Sequence, residues 1–164
     1  MDDTAPRNAD QTDTPATPTD KRMAVIGAGA CGLAATKYMV EAGFDVTIFE
    51  KGTQIGGLWC YQNDSGTSAA YKTLHINTAK NVTCFSDLEF DDDVQAFPDH
   101  RDMHKFLCKY ADHFDIRRRI RFNAEVKEVR PAFTPGQGEP KWEIETADGA
   151  VETFDRVFVA NGHL

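Results

Sequence analysis

The sequence predicts an α/β fold in which a parallel sheet carries an antiparallel three-stranded β meander. Three observations predict it. A short apolar run enters a glycine-rich turn and is followed by a helical pattern and a second, β-branched run. Three alternating segments later in the chain are separated by a Pro/Gly-rich loop and an Asp148-Gly149 turn. A final apolar run, Arg156-Val157-Phe158-Val159-Ala160, has the composition of a strand buried in a parallel sheet.

With 164 residues and 41% apolar content the chain can build one domain with a real core. Its formal charge of -8 excludes nucleic acid as a natural partner. Residues 1–20 are rich in Thr, Pro and Asp and lack any apolar run. They cannot bury enough surface to offset the entropy of ordering, so a disordered leader is expected there and the ordered domain over residues 21–164. No basic-then-apolar signal segment is visible, and no run approaches the roughly 18 apolar residues that span a bilayer. Cys31, Cys60, Cys84 and Cys108 are scattered without a C-x-x-C pair, the pattern of reduced thiols in a cytoplasmic protein, and no metal site is expected.

Met23-Ala24-Val25-Ile26 forms the first expected strand. Ala34, Ala35, Tyr38, Met39 and Ala42 follow at helical spacing, and Gly43 is placed to end the helix in a left-handed cap. Asp45-Val46-Thr47-Ile48-Phe49-Glu50 is the second strand, which makes a right-handed βαβ unit. Between strand and helix lies Gly27-Ala28-Gly29-Ala30-Cys31-Gly32, a G-x-G-x-x-G turn that follows a strand, starts a helix and precedes an acidic residue at the next strand end. This is the context of a Rossmann-like dinucleotide site: Gly27 permits the turn, Gly29 admits a pyrophosphate, and Gly32 lets helix and sheet approach. The helix amino terminus, at Ala30 and Cys31, presents N–H donors to the phosphates. Cys31 reads as a small filler rather than a redox thiol, since no resolving cysteine is near in sequence. Glu50 can accept hydrogen bonds from adenosine ribose and would repel a 2′-phosphate, which favours FAD or NAD over NADP at this turn.

The next segment, Lys51-Gly52-Thr53-Gln54-Ile55-Gly56-Gly57-Leu58-Trp59, lets backbone run close to a cofactor at its paired glycines and sets Trp59 beside it as an apolar plate. It resembles the flavin-containing monooxygenases and their Baeyer–Villiger relatives, in which an acidic residue, a basic one and a Gly-Gly-x-Trp stretch follow the first dinucleotide motif. The resemblance continues through Tyr71 to Lys80, which contains L-x-x-N-T-x-K, then Cys84-Phe85-Ser86-Asp87 and Phe97-Pro98-Asp99-His100. It implies FAD as cofactor, with Lys51, Gly57, Leu58 and Trp59 along its path. It also implies a catalytic position for Asn77 at the reactive edge of the flavin, where an amide that donates and accepts suits the ring edge or a nicotinamide ribose. Read without the resemblance, Asn77 is a turn residue.

Asp99 is a plausible N-cap for a helix running to about His113, with Met103, Phe106, Leu107, Tyr110 and Phe114 as its apolar stripe. His100 and His104 are four apart, but with no third ligand they read as solvated or capping residues rather than a metal pair. Arg117, Arg118, Arg119 and Arg121 form a basic cluster that reads as a solvated face, with recruitment of NADPH or another acidic partner as the sharper alternative. The meander is expected from Ala124 to Arg130, Lys141 to Thr146 and Val151 to Phe154, around a loop at 131–140. By the resemblance, Val126 meets the adenine through its backbone, and Ala160 and Gly162 of Ala160-Asn161-Gly162-His163 lie against the cofactor at the strand ends.

The resemblance implies that NADPH reduces FAD, that oxygen adds to the reduced flavin, and that a soft nitrogen or sulfur nucleophile is oxygenated. Small-molecule substrate, O2 and NADPH are the partners it implies. No second G-x-G-x-x-G follows Gly32, so the chain is expected to be the amino-terminal FAD-binding part, incomplete at its carboxyl end and inactive alone, with NADPH bound mainly by a domain outside it. Baeyer–Villiger or N-hydroxylating chemistry, a noncatalytic nucleotide-binding module and a simple NAD dehydrogenase are the competing readings; the last leaves Gly56-Gly57-Leu58-Trp59 without a purpose.

Overall fold

A computed structural model describes residues 20–66, 68–133, 136 and 138–162. All but the last residue of the expected leader lie outside them, as does His163.

β1 (Arg22–Ile26), α1 (Ala30–Glu41) and β2 (Asp45–Phe49) form the anticipated βαβ unit, with Arg22 opposite Asp45 and Ile26 opposite Phe49 in parallel register. Gly43 has φ +87°, and the bonds from Gly43 N to Val40 O and from Phe44 N to Met39 O close the helix end. The buried face of α1 is Gly32, Leu33 and Thr36. Ala34, Ala35, Tyr38, Met39 and Ala42, the apolar set apparent in the sequence, instead line an open depression of about 450 Å³ together with Cys31, Phe44 and Phe158. Gly32 sets this rotation. A Cβ there would stand 1.9 Å from the Gly27 carbonyl oxygen and 3.4 Å from Val25 Cγ1, so the helix touches the sheet at that point, and the next residues inward are those one turn on.

The short helix α2 (Lys80–Thr83) and α3 (His100–His113) follow, then β3 (Ile120–Arg121), β4 (Val126–Ala132), β5 (Lys141–Thr146), β6 (Val151–Phe154) and β7 (Arg156–Val159). The parallel sheet runs β3-β2-β1-β7 and the antiparallel one β4-β5-β6. Alternation along the central strands divides the core in two. Met23, Val25 and Ile48 face α1 and α3, whereas Ala24 and Phe49 face the meander and pack on Ile144 and Phe154. The Phe49 and Phe154 rings meet edge to face at 5.7 Å. β4 continues through Pro131, beyond the expected boundary, because an edge strand tolerates a residue that cannot donate.

β3 was hidden within the basic cluster: two residues are too short to show a period, and pairing with β2 makes them a strand. The cluster itself is neutralised. Arg117 pairs with Asp112, Arg118 with Asp115, Arg119 with Asp45 and Arg121 with Glu152, which leaves the solvated-face reading in place of an acidic-partner site.

α3 carries the stripe expected of it, with Met103, Phe106, Leu107 and Tyr110 buried. Its Asp99 cap accepts from Arg101 N and Asp102 N while Asp102 answers Asp99 N, a complete capping box. The Arg101 guanidinium beside it holds the Asp99 carboxyl down at about 2. A depressed carboxyl contributes stability that is full above its unfolded value of roughly 3.9 and is lost as pH falls toward the folded value. Asp99→Ala is therefore expected to cost about 1 kcal/mol at pH 7 and less by pH 2. Urea unfolding of both chains at the two pH values measures this, and a gap unchanged at pH 2 would assign the effect to packing instead.

Candidate functional site

Three turns converge at the carboxyl ends of β1, β2 and β7, where ligands sit on open α/β sheets. Gly27, at φ +103°, donates to Phe49 O at 2.8 Å, and a Cβ on it would lie 2.5 Å from Ala160 O. Ala160 in turn donates to Ile26 O at 2.9 Å. From the other side Gly56 N donates to Ala28 O at 3.0 Å, which brings Gly57 against Gly29. A Cβ on Gly57 would stand 3.2 Å from Gly29 Cα, whereas one on Gly29 would meet, among the described residues, only Gly57 Cα, at 3.7 Å. Gly29 thus fronts space that the protein itself leaves open.

Behind that space α1 begins at Gly29 with no side-chain cap and no acidic residue in its first turn. α3, fully capped, shows the contrast. An uncapped twelve-residue helix aimed from a glycine turn offers N–H donors and a positive dipole end to an anion. Ala30 is half-buried in that turn and Cys31 is exposed beside it.

Glu50 is 8% exposed, and its two oxygens are engaged. Oε2 accepts from Ala28 N and Oε1 from Gly52 N, both at 2.8 Å. The carboxylate therefore ties the first glycine turn to the second before any ligand arrives, and each oxygen keeps a further lone pair for a hydroxyl. Lys51 is exposed and pairs with Glu125 at 3.5 Å. Ala124 N donates to Glu50 O and Asn123 N to Gly52 O, so the half-buried Val126 follows directly on the Glu50 strand end. Gly57 to Trp59 form a single 3-10 turn, with Leu58 40% exposed and Trp59 half-buried against the main core.

Asn77 is exposed and makes no side-chain hydrogen bond to the described residues. Its backbone is held on both sides. Ile76 N donates to Pro98 O, His100 N to Leu74 O and Lys80 N to Ala96 O, while Lys80 Nζ donates to the carbonyls of Asp91, Asp92 and Val94. α3 ties the Asn77 segment and the second glycine turn to one helix, through His100 N to Leu74 O and His104 to Ile55 O. His100 and His104, expected as solvated or capping residues, are instead loop anchors. His100 is 5% exposed, with Nε2 3.2 Å from Lys72 O and its ring on Tyr61, and His104 Nε2 lies 2.9 Å from Ile55 O. Their four-residue spacing was visible; their targets, 28 and 49 positions away, were not. A Cβ on Gly162, at φ +82°, would meet nothing within 4 Å among the described residues, whereas the Ala160 carbonyl lies against Gly27.

Gly27, Gly29, Glu50, Gly57 and Ala160 thus lie together at these strand ends, with Gly32 behind them at the helix–sheet contact and Lys51 and Val126 on the Glu50 side. A pyrophosphate at Gly29 and a ribose at Glu50 fit these donors and acceptors. Among the described residues no group of His, Cys, Asp and Glu is arranged to hold a metal ion, and no helix is long and apolar enough to cross a membrane.

Residues 20–164 match the profile of the flavin-binding monooxygenase-like family. Human flavin-containing monooxygenase 5 is 39% identical over 153 residues, which cover 88% of this chain and 28% of that protein. Human dimethylaniline monooxygenase [N-oxide-forming] 4 is 36% identical over 149 residues, covering 88% of this chain and 26% of that one. Among solved structures, S-allyl-L-cysteine S-oxygenase from Allium sativum superposes with a TM-score of 0.74 at 31% identity, over 87% of this chain and 36% of the other. An oxidized steroid monooxygenase bound to NADP shares the fold, with a TM-score of 0.70 at 24% identity over 85% of this chain and 26% of that one.

Proposed function

The chain belongs to the flavin-binding monooxygenase-like family, and from that premise we propose that it forms the FAD-binding part of an NADPH- and oxygen-dependent monooxygenase acting on soft nitrogen or sulfur nucleophiles. The open face of Gly29, set against Gly57 at the start of an uncapped helix, is the observation that carries this reading. FAD, when bound, supplies the redox and oxygen chemistry. The chain's own residues hold it: the α1 amino terminus takes the pyrophosphate, Glu50 the adenosine ribose and the Val126 backbone the adenine. Lys51, Leu58 and Trp59 border its path, Gly57, Ala160 and Gly162 let backbone come close, and Asn77 addresses the reactive edge from its clamped turn.

Nitrogen or sulfur oxygenation is supported by relatives named for N-oxide formation and for S-oxygenation, which are 36% and 31% identical to this chain. NADPH is assigned to residues outside this chain, which spans 26–28% of the human relatives. Four free cysteines fit a reducing, cytoplasmic setting.

The test is the visible spectrum of the purified chain after incubation with FAD and removal of free cofactor. Retained flavin absorbance is the expected result. Absence of flavin both from the chain and from a form extended to the length of its relatives would overturn the reading. In that extended form Asn77→Ala is expected to keep its FAD yet oxygenate less substrate per NADPH consumed; unchanged coupling would remove Asn77 from the site.

A further inference from the structure

The turn that faces Gly29 is held from behind by a side chain outside every motif in the sequence. His104 Nε2 lies 2.9 Å from Ile55 O, and its Cδ2 lies 2.8 Å from the point where a Cβ on Gly56 would stand. Gly56 has φ +119°, a backbone that side chains other than hydrogen rarely adopt, so the imidazole occupies the space that glycine leaves. Cys60 closes the opposite side, with its Cβ 3.5 Å from the same point. A carbonyl can only accept, so Nε2 carries the hydrogen, and Cys108 Sγ at 3.7 Å can meet that nitrogen only as an acceptor. The Cys108 thiol is held below its ordinary value by His104, which agrees with that direction.

The turn therefore has two fastenings. Gly56 N is tied forward to Ala28 O in the first glycine turn, and Ile55 O is tied back to α3. α3 is a rigid base for this purpose: it is capped at Asp99 and packed through Phe106, Leu107 and Tyr110. We propose that His104 is a positioning residue for the flavin site, fixing Gly56 and Gly57 on α3 so that the gap in front of Gly29 keeps the width a pyrophosphate needs. The inference rests on the FAD reading above. It rests chiefly on the imidazole donor that reaches Ile55 O, with the flat body against Gly56 as the smaller part. Gln keeps the donor alone, and Phe keeps the body alone.

Two readouts on His104→Gln, His104→Phe and His104→Ala test it, in whichever form of the protein retains flavin. The first is FAD affinity by fluorescence titration. His104→Ala is expected to bind about tenfold more weakly, the scale of one lost neutral hydrogen bond with its packing, and His104→Gln to recover most of that loss. The second needs no cofactor: hydrogen exchange at the Gly56 amide is expected to quicken in His104→Phe while the amides in the middle of α3 stay as slow as in the parent. Equal FAD affinity in parent, Phe and Ala variants, with Gly29→Ala still abolishing retention, would overturn the positioning role and leave the flavin reading standing. Exchange that quickens throughout α3 would also overturn it, by showing a general packing role. If no form retains flavin, both fall together. Should His104→Ala fail to fold, the Gln and Phe variants decide.

Discussion

Gly29→Ala is expected to leave the protein folded and to weaken FAD binding at least roughly a hundredfold, the scale of two lost charge-assisted hydrogen bonds. Gly32→Ala, three residues on, is expected to act through the fold instead: it destabilises the protein without cofactor, and any weakening of FAD binding follows from that. The two glycines belong to one motif, and sequence alone gives them equal standing. Geometry separates them. At Gly29 the backbone has φ −81°, open to any residue, and among the described residues an added methyl meets only Gly57 Cα, at ordinary contact distance. That methyl would occupy the gap that the proposed function assigns to the pyrophosphate. At Gly32 the methyl would sit 1.9 Å from the carbonyl oxygen of Gly27 and 3.1 Å from its carbon, which are main-chain atoms of the turn itself. Relief requires α1 to move off β1, taking Leu33 and Thr36 out of the core. Such overpacking costs roughly 3 kcal/mol or more, and a domain of this size would melt about 10 °C lower. Thermal unfolding without cofactor and FAD titration separate the cases. A Gly29→Ala chain that binds FAD as the parent does would remove the pyrophosphate from Gly29; a Gly32→Ala chain that melts with the parent would contradict the tight helix–sheet contact.

The contrast also marks what the sequence made legible. The strands and helices that obey a period, β1, β2, α3 and the meander, were readable because burial imposes that period on consecutive residues. The glycine turn was readable because φ and close approach restrict residue type locally. The packing face of α1 was not legible: five apolar residues form a clean helical set, but Gly32, which carries no side chain to count, decides which side meets the sheet. β3 was missed because Ile120 and Arg121 are a strand only by virtue of β2 beside them. The histidines were misjudged for a similar reason. His104 and Ile55 are 49 positions apart, and nothing in either neighbourhood announces a bond between them. Glu50 was found for its ribose, yet its first partners are two backbone amides of its own chain.

That double duty gives Glu50 the other large expected effect. With both carboxylate oxygens engaged at 2.8 Å and 8% of the residue exposed, Glu50→Ala strands the N–H groups of Ala28 and Gly52 away from good acceptors. Each abandoned buried donor costs roughly 1–3 kcal/mol, so a loss of about 3 kcal/mol in apo stability is expected. Glu50→Gln should fall between parent and Ala, because its amide oxygen satisfies one N–H while its NH2 group faces the other. If Glu50 served only the ribose, none of this would appear without cofactor. Urea unfolding of the apo chains therefore reads the loop-tying role alone, and a Glu50→Ala chain as stable as the parent would refute it. Titration with FAD and with FMN, which lacks the adenosine, then isolates the second role. A ribose contact predicts that Glu50→Gln loses more affinity for FAD than for FMN, whereas loosened turns alone would weaken both equally. Because the turns that Glu50 joins are the same ones that frame Gly29, a ribose contact would give one carboxylate two tasks, tying the turns together and recognising what lies between them.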